Sequence, residues 1–383
     1  MTVVLAVLCV LGALLLAVVC WVLRGVFLIR KAKRLEAEIG ALDARTEADR
    51  SDEQARKAAA AVALGFVAES GLDTDHPAPV PAERLAVLEA ARSGDWEAAA
   101  AYVEAAGEDW QERLERVRPL AEAAAEDDAW LLAWRTARPA DPTAALVHAD
   151  TGVMVAWNVR GSRSGRRTTQ EQFRLFHQLL TTARADAHAA QKLAGPADPC
   201  PYVVEQAIAM GLGYAHEEYR RLWERITERA PRLLWSHVAG LQYWCAKWQG
   251  SHELAMEYAR ASAAAGKPGD LLTLLPLMAY FEQETYEDDL LPETYYKEPE
   301  IVAAVDAALA DLAAAGHAHP GTPRMRHMLA YLLFWQDRDA EAVEQFRHID
   351  GYIGAVPWTY ADEPKRRYLY ARDWAVDVTA PDA

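Results

Sequence analysis

The most constraining feature of this sequence is the run from Val3 to Leu23, VVLAVLCVLGALLLAVVCWVL, which carries no charged side chain. At about 1.5 Å of rise per residue, a helix of that length crosses the roughly 30 Å hydrocarbon core of a bilayer. A cleaved leader would carry a basic segment ahead of a shorter apolar stretch and end at small residues. Here Met1 and Thr2 alone precede the run, and Trp21, Val22 and Leu23 close it. Cys20 follows Val19, where lipid-modified cysteines follow Gly, Ala or Ser. Arg24, Arg30, Lys31, Lys33 and Arg34 lie after the run and no Lys or Arg lies before it. Basic flanks stay in the cytoplasm, so the expected topology is single-pass, with the N-terminus outside and the bulk of the chain cytoplasmic. Trp21 suits an interfacial anchor.

Composition narrows the function of the remainder. A net charge of -16 over 383 residues leaves little room for the basic face that phosphate backbones require, so nucleic acid is excluded as an expected partner. Of 4 cysteines, two lie in the apolar run, leaving Cys200 and Cys245 without partners at metal-ligand spacing. Neither a disulfide framework nor a zinc module is expected.

Beyond the anchor at 1–30, residues 31–70 read as a charged helical stalk in which Leu35, Ile39 and Leu42 keep helical spacing. Those three residues are the place for self-association. The segment 71–82, GLDTDHPAPVPA, concentrates prolines, which remove donors and fix φ, and is expected to be a linker. From 83 to 383 nearly every segment has helical periodicity, punctuated by turn chemistry such as Ser93-Gly94-Asp95, Gly250-Ser251 and Gly266-Lys267-Pro268-Gly269. The expectation is an all-α chain. The segment Glu284–Glu300 reads as an exposed connection containing Tyr286, Tyr295 and Tyr296, and Gly161–Arg167 as a basic solvated loop.

Three stretches are self-similar: Ser93–Ala106, Gly250–Ala265 and Gln336–Ile349 each set a turn before an amphipathic helix with a small residue near its start, after an apolar helix. Ala330, Ala342 and Phe346 in the last of them, Ala255 in the middle one, and Trp96 with Ala99 in the first stand at the small and aromatic positions. This resembles the tetratricopeptide repeat, a unit of about 34 residues made of two antiparallel helices. The resemblance implies a tetratricopeptide-like α-solenoid of antiparallel helix pairs. Trp134–Gly161 and Leu234–Arg260, with the core Tyr243-Trp244-Cys245-Ala246-Lys247-Trp248-Gln249-Gly250-Ser251, are similar to an uncharacterised family of bacterial helical-repeat proteins frequent in actinobacteria. That second resemblance implies a fold but no activity, and the Ala-rich, Arg-rich, Lys-poor composition also fits a bacterial source, so the expected location is a bacterial cell membrane.

If Gly250 and Asp337 hold equivalent turn positions, counting back along the i, i+3, i+4 stripe gives the residues of a concave face. In one unit they are His237, Gly240, Trp244, Lys247 and Trp248; in the other, Arg324, His327, Tyr331, Phe334 and Trp335. Aromatic anchors beside cations could hold a protein or peptide partner. The same pattern is also what a buried aromatic seam produces. Lys247 favours the groove, because a long cation between two tryptophans keeps its ammonium near water.

No catalytic pattern appears. His216-Glu217 and His252-Glu253 begin like zinc-protease helices, but Arg220 and Met256 stand where the second histidine would be. Neither a phosphate loop nor a nucleophile elbow is present, no cofactor motif is found, and Cys245 in its Trp-rich surroundings reads as a small buried hydrophobe. The expected function is a non-enzymatic, membrane-anchored interaction scaffold. The alternatives are the same module outside the cell, or an enzyme whose site only the fold assembles.

Overall fold

The computed structural model describes residues 51–161, 169–315 and 319–379. The apolar run, its basic flank, Leu35, Ile39 and Leu42, and most of the basic loop lie outside the described residues. Among the described residues the chain is helical throughout, with no β-strand and one isolated parallel bridge, Asp73 to Tyr352. None of these helices is long and apolar enough to cross a membrane.

The chain forms two compact units that meet in sequence at Leu64 and Gly65. The described part of the first is helix α1, residues 51–63, closed by the Leu64 amide donating to the Ala60 and Ala61 carbonyls. The second unit is a serial array: α2 (Ala82–Arg92), α3 (Trp96–Glu104), α4 (Trp110–Glu126), α5 (Ala129–Ala137), α6 (Pro142–Arg160), α7 (Gln170–Leu193), α8 (Cys200–Leu212) and α9 (His216–Thr227). It continues with α10 (Leu234–Trp244), α11 (His252–Ala265), α12 (Leu274–Tyr286), the short α13 (Pro292–Tyr295), α14 (Pro299–Ala315), α15 (Thr322–Trp335), α16 (Asp339–Ile349) and α17 (Pro364–Thr379).

Local chemistry starts many of these helices. The carboxylates of Asp95, Asp109 and Asp141 accept amide hydrogens in the first turns of α3, α4 and α6, satisfying donors that have no intrahelical partner. Thr169 and Gln172 close a capping box on α7, and Ser251 caps α11. The turns before α3 and α16 both need left-handed backbone, taken by Gly94 at φ 96° and Asp337 at φ 55°. Packing follows chain order: α2 lies on α3, α6 on α7, α10 on α11, α15 on α16. One apolar cluster extends from α2 to α8 and a second from α8 to α11, and Trp110 packs against both.

The segment expected to be a linker is held in place. The Asp73 amide donates to the Gly351 carbonyl, the Ile353 amide to the Asp73 carbonyl, and the Gly354 amide to the His76 carbonyl. A Cβ on Gly354 would stand 2.3 Å from the His76 nitrogen, so this approach requires glycine. The Pro77 carbonyl meets His327 Nε2 at 3.0 Å. Proline keeps this stretch out of a helix, as its chemistry dictates, but the freed carbonyls are used in long-range bonds. The boundary between units therefore falls ahead of the proline-rich stretch.

Glu284–Glu300 also differs from its expected exposure. Glu284 to Tyr286 complete α12, while Tyr295 and Tyr296 are buried against Tyr280 and Tyr331, with ring centroids 6.3 and 5.8 Å apart. Aromatic area outweighs the acidic neighbours there, and of the three tyrosines only Tyr286 is exposed.

Candidate functional site

Most of the aromatic stripes turn inward. His237 is buried, its Nδ1 2.8 Å from Ser262 Oγ and its Nε2 2.9 Å from the Pro231 carbonyl, with Trp223 edge-on. Burial lowers its pKa from the ordinary histidine value. Gly240 gives Tyr258 its space, since a Cβ there would meet the phenol oxygen at 2.2 Å. Trp244 is buried against His216, Tyr219 and Tyr243.

The helical stripe also stops earlier than expected. α10 ends at Trp244 and Cys245 is extended, so Lys247 and Trp248 sit on a turn. The Trp248 and Gly250 amides donate to the Cys245 carbonyl, and the Gln249 amide donates to the Tyr243 carbonyl. A side chain on Gly250 would meet the Trp244 carbonyl oxygen at 1.9 Å, so this turn requires glycine, whereas the other turn takes Asp337 at φ 55°.

Lys247 donates from Nζ to Glu282 Oε1 at 2.7 Å and to the Tyr360 hydroxyl at 2.6 Å. The buried Glu282 oxygen also accepts from Gln242 and Tyr360. Cys245, beside this group, is buried, and desolvation followed by the Glu282 charge pushes its thiol up to about 12, leaving it inert at neutral pH. Trp248 packs edge-on against Trp157, with the Arg160 guanidinium 4.8 Å from its ring centroid.

On α15, His327, Tyr331 and Phe334 are buried. Tyr331 sits among Phe281, Tyr296, Trp335 and Trp358 and accepts from Arg367 Nη2 at 2.8 Å. Trp335 is half-buried beside Phe334. His327 bonds on both sides: Trp358 Nε1–H donates to its Nδ1 at 2.9 Å, and its Nε2–H donates to the Pro77 carbonyl. This fixes the neutral tautomer, and desolvation depresses its pKa to about 4. A histidine whose folded pKa lies below its unfolded value of about 6.5 adds stability above pH 6.5, which is lost as pH falls toward 4. His327 alone is expected to cost about 2 kcal/mol between pH 7 and pH 4.5. Denaturant unfolding at the two pH values measures this, and in His327→Gln, which retains a donor toward Pro77, the fall should shrink.

Arg324, like Lys247, is an exposed member of the two stripes. Its guanidinium lies over Trp235 at 4.6 Å and 3.7 Å from Glu115 on α4, joining the first turns of α10 and α15 to a helix distant from both in sequence. A Cβ on Gly321, just before α15, would stand 2.3 Å from the Leu234 side chain, so the two helix starts touch. In a simple repeat array each unit meets only its neighbours, so these contacts join elements far apart in the chain order. Arg324 is 45% accessible, yet desolvation lowers its pKa against the pull of Glu115. The side chains of α4, α10 and α15 that meet around the half-exposed Arg324 form the recess.

Around it lie Arg84 of α2, 4.0 Å from Glu115, and Arg118 of α4, 3.4 Å from the buried Asp150 of α6. Glu122, exposed on α4, completes the group, and desolvation raises the pKa of both Glu122 and Asp150 despite Arg118. The Arg84 Nε–H and Trp235 Nε1–H donors are buried without acceptors. Sequence reading finds Arg324 and misses the others. The signal lies in α4, where Glu115, Arg118 and Glu122 share a helical face, but nothing local says that α15 reaches it.

Among the described residues, no group of three His, Cys, Asp or Glu side chains could hold a metal ion. No family model matches this chain, and neither a curated protein nor a solved structure matches it.

Proposed function

We propose that this chain is a membrane-anchored scaffold: a tetratricopeptide-like α-solenoid, held at the cytoplasmic face of a bacterial membrane by the apolar run Val3–Leu23, that binds a protein partner on its inner face. The all-helical serial array supports the solenoid reading, and the uncharged N-terminal run with its basic C-terminal flank supports anchor and topology. The observation that carries the binding reading is Arg324, accessible, desolvated and laid over Trp235 in a recess with unmet donors. Arginine over tryptophan is typical of binding hot spots, and unmet donors favour a partner that supplies carbonyl or carboxylate oxygens. Anchoring adds affinity by confining the scaffold to the surface where its partner resides.

The test is in-cell crosslinking followed by pull-down through a C-terminal tag, comparing wild type with Arg324→Gln. Arg324 makes one ion pair, at 3.7 Å, so its loss should change stability by less than about 1 kcal/mol. Partner recovery should fall about tenfold or more, as expected for a hot spot. Unchanged recovery would remove the recess from consideration.

A further inference from the structure

A second opening lies away from the recess, where the start of α6 meets α3 and α4. It is a hollow of about 600 Å³ lined by Glu104, Arg113, Arg138, Asp141 and Thr143 among others. Its two arginines are poorly served by their own chain. Arg113 is 7% exposed; its Nη2 donates to Thr143 Oγ1 at 2.8 Å, but its Nε–H is buried with no acceptor, and its ionic contact, Asp198, is 3.8 Å away. Arg138 lies over the Trp96 ring at 5.0 Å, and its contacts to Glu104 and Asp141 are 3.9 and 3.8 Å, beyond hydrogen-bond length. A guanidinium carries five N–H donors, and a buried one with unmet donors is costly.

The two carboxylates lining the hollow differ. Asp141 is saturated: Oδ1 accepts from the Thr143 and Ala144 amides, and Oδ2 from Trp134 Nε1–H at 2.9 Å. Its side chain is 8% exposed, whereas that of Glu104 is 56% exposed and makes its contact in the hollow only with Arg138. Glu104 therefore acts as a displaceable counterion. We propose that this hollow binds a small oxyanion, a carboxylate or a phosphate group, which displaces Glu104 from Arg138 and takes the unmet Nε–H donor of Arg113. Planar guanidinium forks match both anions in bidentate geometry, and the hydroxyl of Thr143 and the positive end of α6 lie beside the site. The inference is independent of the partner reading, since it uses neither Arg324 nor its neighbours.

The experiment is isothermal titration of the full chain in detergent with inorganic phosphate and, separately, succinate, at ionic strength held constant with chloride. Saturable binding of at least one anion is expected, and which of them binds identifies the source. Arg138→Gln should weaken it about tenfold or more, and Glu104→Gln should strengthen it about threefold by removing the competitor. Both positions are half exposed, so these variants are expected to fold. Arg113→Lys, which keeps charge but loses the fork, should also weaken binding, with circular dichroism checking its fold. No saturable binding of either anion, or equal binding by wild type and Arg138→Gln, would overturn the proposal.

Discussion

Replacing Arg372 by methionine is expected to cost about 4 kcal/mol and to release the Phe66–Val67 stretch, just ahead of the proline-rich segment, from the C-terminal helix. Arg372 and Asp373 on α17 are 1% and 0% exposed, and the guanidinium meets Asp373 Oδ1 through Nε at 2.8 Å and through Nη2 at 2.6 Å. Nη1 donates to the Val67 carbonyl at 2.6 Å, and the group lies near the Phe66 and Tyr368 rings. One side chain thus holds the start of the second unit to its last helix. Methionine would keep most of the packing but leave the Asp373 charge buried without the guanidinium, which is far more costly than removing both charges. Thermal unfolding should show the loss, and limited proteolysis should show new cleavage between residues 65 and 80. Adding Asp373→Leu should recover part of the stability; failure of the single variant to destabilise would contradict this account of the segment.

Lys247→Glu has the next largest expected effect, about 3 kcal/mol. In a groove the substitution would alter binding and leave folding nearly intact. Here it would set a second carboxylate against buried Glu282, whose Oε1 accepts from Lys247, Gln242 and Tyr360 together. It would also remove the donor 2.6 Å from the Tyr360 hydroxyl and the cation over that ring at 5.0 Å. Lys247→Met, which keeps the stem and adds no charge, should cost less, and urea unfolding of the two variants separates repulsion from lost pairing. Partner loss at unchanged stability would return Lys247 to the binding surface.

These predictions show where the sequence is informative. Helix starts are legible because they are local: Asp95, Asp109, Asp141 and Ser251 each bond an amide two or three residues ahead. The left-handed turns at Gly94 and Asp337 are equally local. The direction an apolar face points is not. Trp244, His327 and Tyr331 have the spacing of a groove and of a core alike, and packing from Tyr219, Trp358 and Phe281 makes them core. Prolines at 77, 79 and 81 forbid a helix, yet cannot announce that the Pro77 carbonyl will receive a hydrogen bond from a histidine 250 positions later. The recess is the extreme case, because α2, α4, α6, α10 and α15 contribute to it and only tertiary packing brings them together.

Site-specific photocrosslinking in cells tests the central claim, that a partner occupies the inner face, most directly. One variant carries the photoreactive residue in place of Glu122, exposed in the recess; the other carries it in place of Glu257, exposed on α11, which contributes nothing to the recess. Discrete protein adducts from position 122 and none from 257, with the former abolished by Arg324→Gln, is the predicted result. Adducts from 257 alone, or adducts from 122 that survive Arg324→Gln, would contradict it.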